Sequence, residues 1–260
     1  MGSSFHYNIF SGFKAVSAWQ QQIMRNAQGV LQPGYNRINL RFGSTPGATG
    51  EAGHAGTVSH GGRNASYGGG DSLAISGSTI TFGEGTIEPA DSPTQLAIKG
   101  QGFFLLAENL QPGAKVFMSR SGDFKYDSQG RLVNSQGLFV VGGNGTLTDP
   151  PQPVRNPGDG SVVLPSLTLG RVPSPQSLAV SGYGPLVYAA TGNSGDIQAF
   201  ANGRREVGFV QANSLEFVDR TGIIGELQVE TAQAQQTYKM FKDMLESFNR
   251  STDDAIGTVR

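Results

Sequence analysis

Apolar residues near both ends of the chain repeat with the alternating four-and-three spacing of a helical heptad seam. Near the N-terminus the series is Ile9, Phe13, Val16, Ile23, Ala27 and Val30. Near the C-terminus the series is Ala234, Tyr238, Phe241, Leu245, Phe248, Ala255 and Val259. Polar residues occupy most positions between them, so each segment has one narrow apolar stripe. The pattern predicts that a helix in residues 1–32 pairs with a helix in residues 222–260.

A heptad seam states that helices associate without stating how many. Phe5, Phe10 and Trp19 lie off the seam and provide apolar surface for other subunits. Periodicity alone therefore leaves open an intramolecular helical hairpin and self-assembly. For self-assembly, the expected subunit interface consists of Ile9, Phe13, Val16, Trp19, Ile23, Tyr238, Phe241, Leu245 and Phe248.

The segment after the first helix has the composition of a connector. Gln32-Pro33-Gly34 predicts the helix end, and residues 36–41 alternate like a short strand. Residues 43–71 contain almost no bulky apolar side chains, so burial cannot offset their ordering entropy. We expect a Gly/Ser-rich connector over residues 33–72, either a plain linker or a segment that folds during assembly.

Residues 73–221 show the short alternating runs and frequent glycines of a β-rich domain. Within them, Lys99-Gly100-Gln101-Gly102 predicts a tight hairpin, residues 162–172 a strand pair, and residues 182–195 a turn-rich stretch. The predicted fold is mainly β with α. Its β-rich central domain is inserted between N- and C-terminal helices that pair as a coiled-coil-like stalk.

A near-repeat marks two turns in this domain: DSQGRLV from Asp127 is followed by NSQGLFV from Asn134. Asp or Asn caps backbone amides in such turns, and glycine adopts the left-handed conformation. Two turns so close together predict a meander of three short antiparallel strands, at residues 124–126, 131–133 and 138–141.

Composition excludes several classes of function. Lys plus Arg number 19 and Asp plus Glu number 20, so no charge excess favours nucleic acid or an anionic membrane. The absence of cysteine excludes disulfides and thiol chemistry. No segment resembles a cleavable signal peptide or approaches the roughly 18 apolar residues of a spanning helix. We expect no nucleic-acid partner and no membrane insertion.

The residues offer no convincing catalytic, cofactor or metal site. His6, His54 and His60 lack metal-ligand spacing, and Gly100-Gln101-Gly102 lacks the third glycine of a dinucleotide motif. A peptidoglycan hydrolase would need two carboxylates in a cleft. Turns or strand edges explain the candidates, which are Glu84, Glu88, Asp91, Asp123 and Asp127. The sequence therefore predicts a non-enzymatic protein without a cofactor.

Two stretches carry a family resemblance. FGEGTIEPADSPTQLAIKGQGFFLL, residues 82–106, and RSGDFKYDSQGRLVNSQGLFVVG, residues 120–142, resemble the signature of bacterial flagellar rod and hook proteins. The resemblance is looser elsewhere: Asn26 and Gly34-Tyr35-x-Arg37 align with the family's N-terminal motif, and VGFVQANSLEFVD from Val207 and AQAQQTY from Ala232 with its C-terminal motifs.

The resemblance implies a structural subunit of the flagellar basal-body rod or hook that self-assembles into a helical tube through its terminal helices. It implies other flagellar axial proteins and the export apparatus as partners, a location in the flagellum, and export without a cleaved signal peptide. The chain has no room for the large outer domain of hook subunits, which favours a distal rod protein. The alternatives are a diverged non-flagellar homologue or an envelope adhesin that binds through loops at residues 152–156 or 183–193, where Tyr183 and Tyr188 would be exposed.

Overall fold

The computed structural model describes residues 2–45 and 72–257. A long helix lies near each end, α1 (Gly2–Gly29) and α2 (Arg220–Gly257), and the residues between them form strands. This confirms the predicted mainly-β fold with flanking helices. The strands are β1 (Arg37–Thr45), β2 (Ser72–Thr81), β3 (Thr86–Pro89), β4 (Leu96–Lys99), β5 (Phe103–Ala107), β6 (Val116–Ser119), β7 (Lys125–Tyr126), β8 (Leu132–Val133), β9 (Phe139–Gly142), β10 (Gln152–Pro153), β11 (Thr168–Arg171), β12 (Ala179–Ser181), β13 (Gly184–Ala189), β14 (Gln198–Ala201), β15 (Phe209–Ala212) and β16 (Ser214–Phe217).

The chain divides into two compact units. The first comprises Met1–Ile23, Leu40–Ser78 and Gln228–Arg260, and the second comprises Met24–Asn39 and Thr79–Leu227. The domain boundaries expected from the sequence stay a prediction. Most of the predicted connector, residues 46–71, lies outside the described residues, and β1 and β2 pair with each other on either side of it.

The second unit is built around β5. This strand pairs with β6, β9 and β11 in a ten-stranded sheet, and all five of its residues are buried. Its side chains alternate between two apolar clusters: Phe104 and Leu106 belong to one, and Phe103 and Leu105 belong to the other. A strand buried on both faces explains why this stretch of the sequence is apolar without alternation.

The predicted meander is confirmed. β7 pairs antiparallel with β8, and β8 with β9. In the first turn, Asp127 Oδ1 accepts hydrogen bonds from the backbone N–H groups of Gln129 and Arg131, at 2.8 and 2.9 Å. In the second turn, Asn134 Oδ1 accepts the equivalent hydrogen bonds from the backbone N–H groups of Gln136 and Leu138, at 3.1 and 2.8 Å. The side-chain caps therefore fix both turns.

The predicted hairpin at residues 99–102 is wrong. β4 pairs with β15 and β5 pairs with β6, so the two strands diverge into different sheets. The Gly102 N–H donates to the carbonyl oxygen of Val207 at 2.9 Å, and Gly100 has a φ of 138°, which favours glycine. A distant part of the chain therefore fixes this corner.

Two other strand predictions also need correction. Residues 162–172 contain one strand, β11, preceded by a 3₁₀ turn at Leu164–Ser166. The stretch predicted to be turn-rich contains β13, which is buried at Val187 and Tyr188 and pairs with β12 and β6. Its glycines and prolines lie mainly at the strand ends, and this composition hid the strand in the sequence.

Candidate functional site

The two helices pack together in the first unit, as the heptad pattern predicted. The Phe13 ring meets the Tyr238 ring edge-on with centroids 5.2 Å apart, and lies 5.9 Å from the Phe241 ring. Gly12 is buried beside this contact, and a Cβ atom there would lie 2.5 Å from two carbons of the Phe241 ring. The helices can therefore cross this closely only because residue 12 has no side chain.

Residues of the expected subunit interface differ in accessibility. Ile9, Val16 and Ile23 are buried within the chain, and Tyr238 is exposed. The others are partly buried: Phe13, Trp19, Phe241, Leu245 and Phe248. The interface itself stays a prediction.

Trp19 packs against a strand. Its ring meets the Phe42 ring edge-on, with centroids 5.7 Å apart. Phe42 belongs to the part of β1 in the same unit as Trp19. The helical period could not have found this contact, because Trp19 lies off the heptad seam.

Other apolar side chains of the first unit are exposed. Phe10 on α1 is 62% exposed, and Met240 and Met244 on α2 are 49% and 46% exposed. The exposure of Phe10 agrees with the expectation that aromatic residues off the seam leave apolar surface. Phe5, expected to do the same, lies outside the side chains described.

In the second unit, the end of α1 is bonded to the segment that follows it. Asn26 is buried, whereas Ala27, the residue expected on the seam, is exposed. The Asn26 Nδ2 donates to the Ile38 carbonyl oxygen at 2.9 Å, and the Ile38 N–H donates to Asn26 Oδ1 at 3.2 Å. Only this position of the seam moves by one residue, since Ile23 and Val30 are buried as expected. It moves because the Asn26 amide satisfies both backbone groups of a strand residue.

Tyr35 completes this cluster. Its hydroxyl donates to Asn26 Oδ1 at 2.6 Å, and burial raises the pKa of Tyr35 to about 12. Its ring also covers Gly29, where a Cβ atom would lie 2.4 Å from ring carbons. The alignment of Asn26 and Tyr35 with family motifs thus marked two residues that contact each other.

Gly34 lies against the β domain. Its φ is 72°, and a Cβ atom would approach the Ser121 backbone nitrogen to 2.1 Å. Its N–H donates to the carbonyl oxygen of Glu216 at 2.7 Å. Only glycine meets both the conformational and the steric requirement at this position.

A buried ion pair lies next to Gly34. Arg120 Nη2 donates to Glu216 Oε1 at 2.7 Å, and both residues are only 6% exposed. Arg120 Nη1 also donates to the carbonyl oxygens of Gly100 and Gly102, at 2.8 and 2.5 Å. This guanidinium holds the corner where the hairpin had been predicted, and it satisfies carbonyl groups that no strand pairing reaches.

Two ion pairs connect strands of the second unit with the start of α2. Arg37 forms an ion pair with Glu226, and Arg220 Nη1 lies 3.3 Å from Glu88 Oε1. Together with Asn26, Gly34 and Arg120–Glu216, these contacts form what we name the junction network. The sequence showed charges at these positions but gave no signal that they pair, since the partners are far apart in the chain.

Three of the five carboxylates considered for hydrolysis, Asp127, Asp123 and Glu88, bond to other side chains. Asp127 pairs with Arg131 at 2.6 Å, and hydrogen bonds led by the Arg131 N–H lower the pKa of this carboxyl. Asp123 accepts a hydrogen bond from Gln95 at 3.1 Å, and Glu88 pairs with Arg220. Within residues 2–45 and 72–257, no three His, Cys, Asp or Glu side chains are placed to hold a metal ion.

Of the two aromatic residues expected in binding loops, one is buried and the other is partly buried. Tyr188 is fully buried in β13, and burial raises the pKa of its hydroxyl. Tyr183 meets the Phe117 ring edge-on, with centroids 5.2 Å apart, and packs against the core. The prediction that these tyrosines are exposed for an adhesin is therefore wrong for Tyr188, while Tyr183 is partly buried. Among the described helices, neither is long and apolar enough to cross a membrane.

Part of the β domain matches a known protein family. Residues 97–186 match the family described as the flagellar hook protein FlgE/F/G D1 domain. This range runs from β4 to β13 and excludes both helices. The resemblance to flagellar rod and hook proteins is thereby confirmed in the β domain.

Individual flagellar hook proteins are similar to part of this chain. The flagellar hook protein FlgE of Helicobacter pylori is 39% identical over 70 residues, which are 27% of this chain and 10% of that protein. FlgE of Escherichia coli K12 is 37% identical over 78 residues, 30% of this chain and 19% of that protein. FlgE of Brucella abortus is 39% identical over 59 residues, 23% of this chain and 14% of that protein. The similarity thus spans less than a fifth of each of these relatives.

Proposed function

We propose that this protein is a structural, non-enzymatic subunit of the flagellar rod or hook that self-assembles into a helical tube through its terminal helices. The match of residues 97–186 to the FlgE/F/G D1 domain carries the proposal. The packing of α1 against α2 at Phe13, Tyr238 and Phe241 adds support, since paired terminal helices are the expected assembly elements.

The junction network suits a subunit that transmits force. The buried Arg120–Glu216 pair joins β6 to β16, and Gly34 binds the same Glu216 through its backbone. A buried, hydrogen-bonded pair has few alternative geometries, because moving either charge leaves the other without its partner. Load reaching residues 33–37 would therefore pass into the β domain without a flexible joint.

We assign the subunit to a distal-rod-like position. Residues 79–227 belong to one compact unit, and no further large domain is inserted between β3 and β16, a range that the structure describes throughout. Its partners would be copies of itself, other flagellar axial proteins and the export apparatus, and it would be located in the flagellum. The proposed domains are the helical residues 1–32 and 222–260, the connector 33–72, and the β domain 73–221.

Sedimentation velocity and negative-stain imaging of the full-length protein over a range of concentrations test self-assembly. We expect rods or tubes from the unmodified chain. Leu245→Asp places a charge in the expected interface and should abolish the polymer, while Asn249→Asp adds the same charge at an exposed position and should not. Assembly that persists in Leu245→Asp and in Phe241→Asp would disprove the role of this seam.

A further inference from the structure

Of the methionine side chains that the structure describes, three are exposed to solvent and one is buried. Met24 on α1 is 64% exposed, and Met240 and Met244 on α2 are 49% and 46% exposed. Met118 in β6 is fully buried in an apolar cluster. Because susceptibility to oxidation follows the exposure of the sulfur, the first three are open to an oxidant and Met118 is protected.

Met240 and Met244 lie in a different environment from Met24. They are one helical turn apart in the first unit and line a shallow groove on α2. Lys239 and Asp243 line the same groove, so it has no excess of either charge. Its only apolar side chains are the two methionines and Phe248, which belongs to the expected subunit interface. We name Met240 and Met244 the methionine pair.

We propose that the methionine pair is a site of oxidation by peroxides and that its oxidation opposes assembly. A sulfur lone pair attacks one oxygen of hydrogen peroxide and forms the S–O bond. The O–O bond breaks, and the second oxygen takes the proton of the first and leaves as water. The sulfur is thereby oxidised and the peroxide is reduced. Each thioether becomes a sulfoxide, which is polar where the thioether was apolar.

This chemical change alters most of the apolar surface of the groove. Oxidation of both methionines leaves Phe248 as the one apolar side chain that lines it. A sulfoxide oxygen accepts hydrogen bonds from water, and covering it with another subunit removes them. The inference rests on the proposed self-assembly and assigns a regulation to the surface beside the expected interface.

Hydrogen peroxide treatment of the full-length protein, followed by peptide mass spectrometry, tests the site. We expect Met240 and Met244 to be oxidised at least about tenfold faster than Met118. Sedimentation velocity of treated and untreated protein tests the consequence, since oxidation should raise the concentration needed for assembly about tenfold or more. Circular dichroism checks that the treated protein retains its helices.

Two variants separate the methionine pair from other oxidised residues, each compared with its own untreated form. The double variant Met240→Leu with Met244→Leu keeps apolar side chains of similar volume that a peroxide does not oxidise. Its assembly should be insensitive to peroxide. Met24→Leu removes an exposed methionine of the second unit and should keep the peroxide sensitivity of the unmodified chain.

Other outcomes would overturn the proposal. If Met240 and Met244 react as slowly as Met118, the pair is not an oxidation site. If peroxide leaves assembly unchanged, or inhibits the double variant as strongly as the unmodified chain, the effect on assembly is wrong. Loss of the helices on oxidation would also contradict it, because assembly would then fail through unfolding. If the untreated protein stays monomeric at every concentration, the proposed function falls and the effect on assembly falls with it, while mass spectrometry still decides whether the pair is oxidised.

Discussion

Gly12 and the Phe241 ring lie so close that no side chain fits between them: a Cβ atom at residue 12 would be 2.5 Å from two ring carbons. The approach brings α1 against α2 beside Phe13, whose ring contacts Phe241 and Tyr238. A small residue at a helix crossing allows larger neighbours to interlock around it.

Gly12→Leu is therefore expected to weaken helix pairing and to lower the free energy of unfolding by about 1–3 kcal/mol, the usual cost of overpacking. Thermal unfolding followed by circular dichroism would measure it. Gly225→Leu is the matched control, because Gly225 is also helical and a Cβ atom there meets nothing within 4 Å. Removing a helical glycine at this open position should raise stability by up to about 1 kcal/mol. Equal shifts in both variants would contradict the steric explanation.

Breaking the Arg120–Glu216 pair should be costly. Arg120→Met leaves a buried carboxylate without its partner, and we expect a loss of about 3–5 kcal/mol in urea unfolding. Arg220→Met removes the more exposed pair with Glu88 and should cost at most about 1 kcal/mol. The double variant Arg120→Met with Glu216→Leu should recover part of the loss. A double variant less stable than Arg120→Met would mean that Glu216 stabilises the protein through another contact, such as the hydrogen bond that its Oε1 accepts from the Gly85 N–H at 3.2 Å.

The Tyr35 hydroxyl should make stability fall at alkaline pH. Burial raises its pKa from 10.0 to about 12, so its neutral form is favoured by folding. That contribution is complete below pH 10 and is lost as the pH rises towards 12. Tyr35→Phe should cost about 1 kcal/mol at neutral pH through the lost bond to Asn26 and should reduce the alkaline decline. Unfolding free energies measured at several pH values would show both effects, and an unchanged alkaline decline in Tyr35→Phe would contradict this explanation. Tyr238→Phe, at an exposed site, should not lower stability at neutral pH.

The two turns of the meander allow a direct comparison of Asp with Asn. Asp127→Asn keeps a side-chain oxygen of the kind with which Asn134 caps the second turn. It removes the negative charge that pairs with Arg131. Asp127→Ala removes both, so it should destabilise the protein more than Asp127→Asn does, as loss of a backbone cap does. Urea unfolding would rank the variants.

The same carboxyl gives an acid-side signature. Its pKa is lowered in the folded protein, so its contribution is present above the ordinary value of 3.8 and is lost as the pH falls through the folded value. Asp127→Asn should therefore flatten the decline in stability at acid pH. An unchanged acid profile would assign that decline to other carboxylates.

Periodic features were predictable from the sequence, while features that join distant residues were not. The heptad spacing located both helices, and the Asp127 and Asn134 turns predicted the meander, because these signals act within a few residues. The corner at Gly100–Gly102 was missed because Arg120 and Val207 determine its path. The role of Gly12 was not predictable, because it depends on the Phe241 ring, which only the fold brings close. The motif alignment marked Asn26 and Gly34 without revealing what each contacts.

The Asn26 amide couples rotation of the end of α1 to the backbone of β1. It gives and receives a hydrogen bond with the backbone of Ile38, the same exchange that an adjacent strand would make. The last turns of α1 are therefore bonded to β1 in the manner of a neighbouring strand. Turning this end of the helix about its own axis would break both bonds together and expose two buried backbone groups. A twist applied to this end of the helix is thus passed to the strand as a displacement of its backbone.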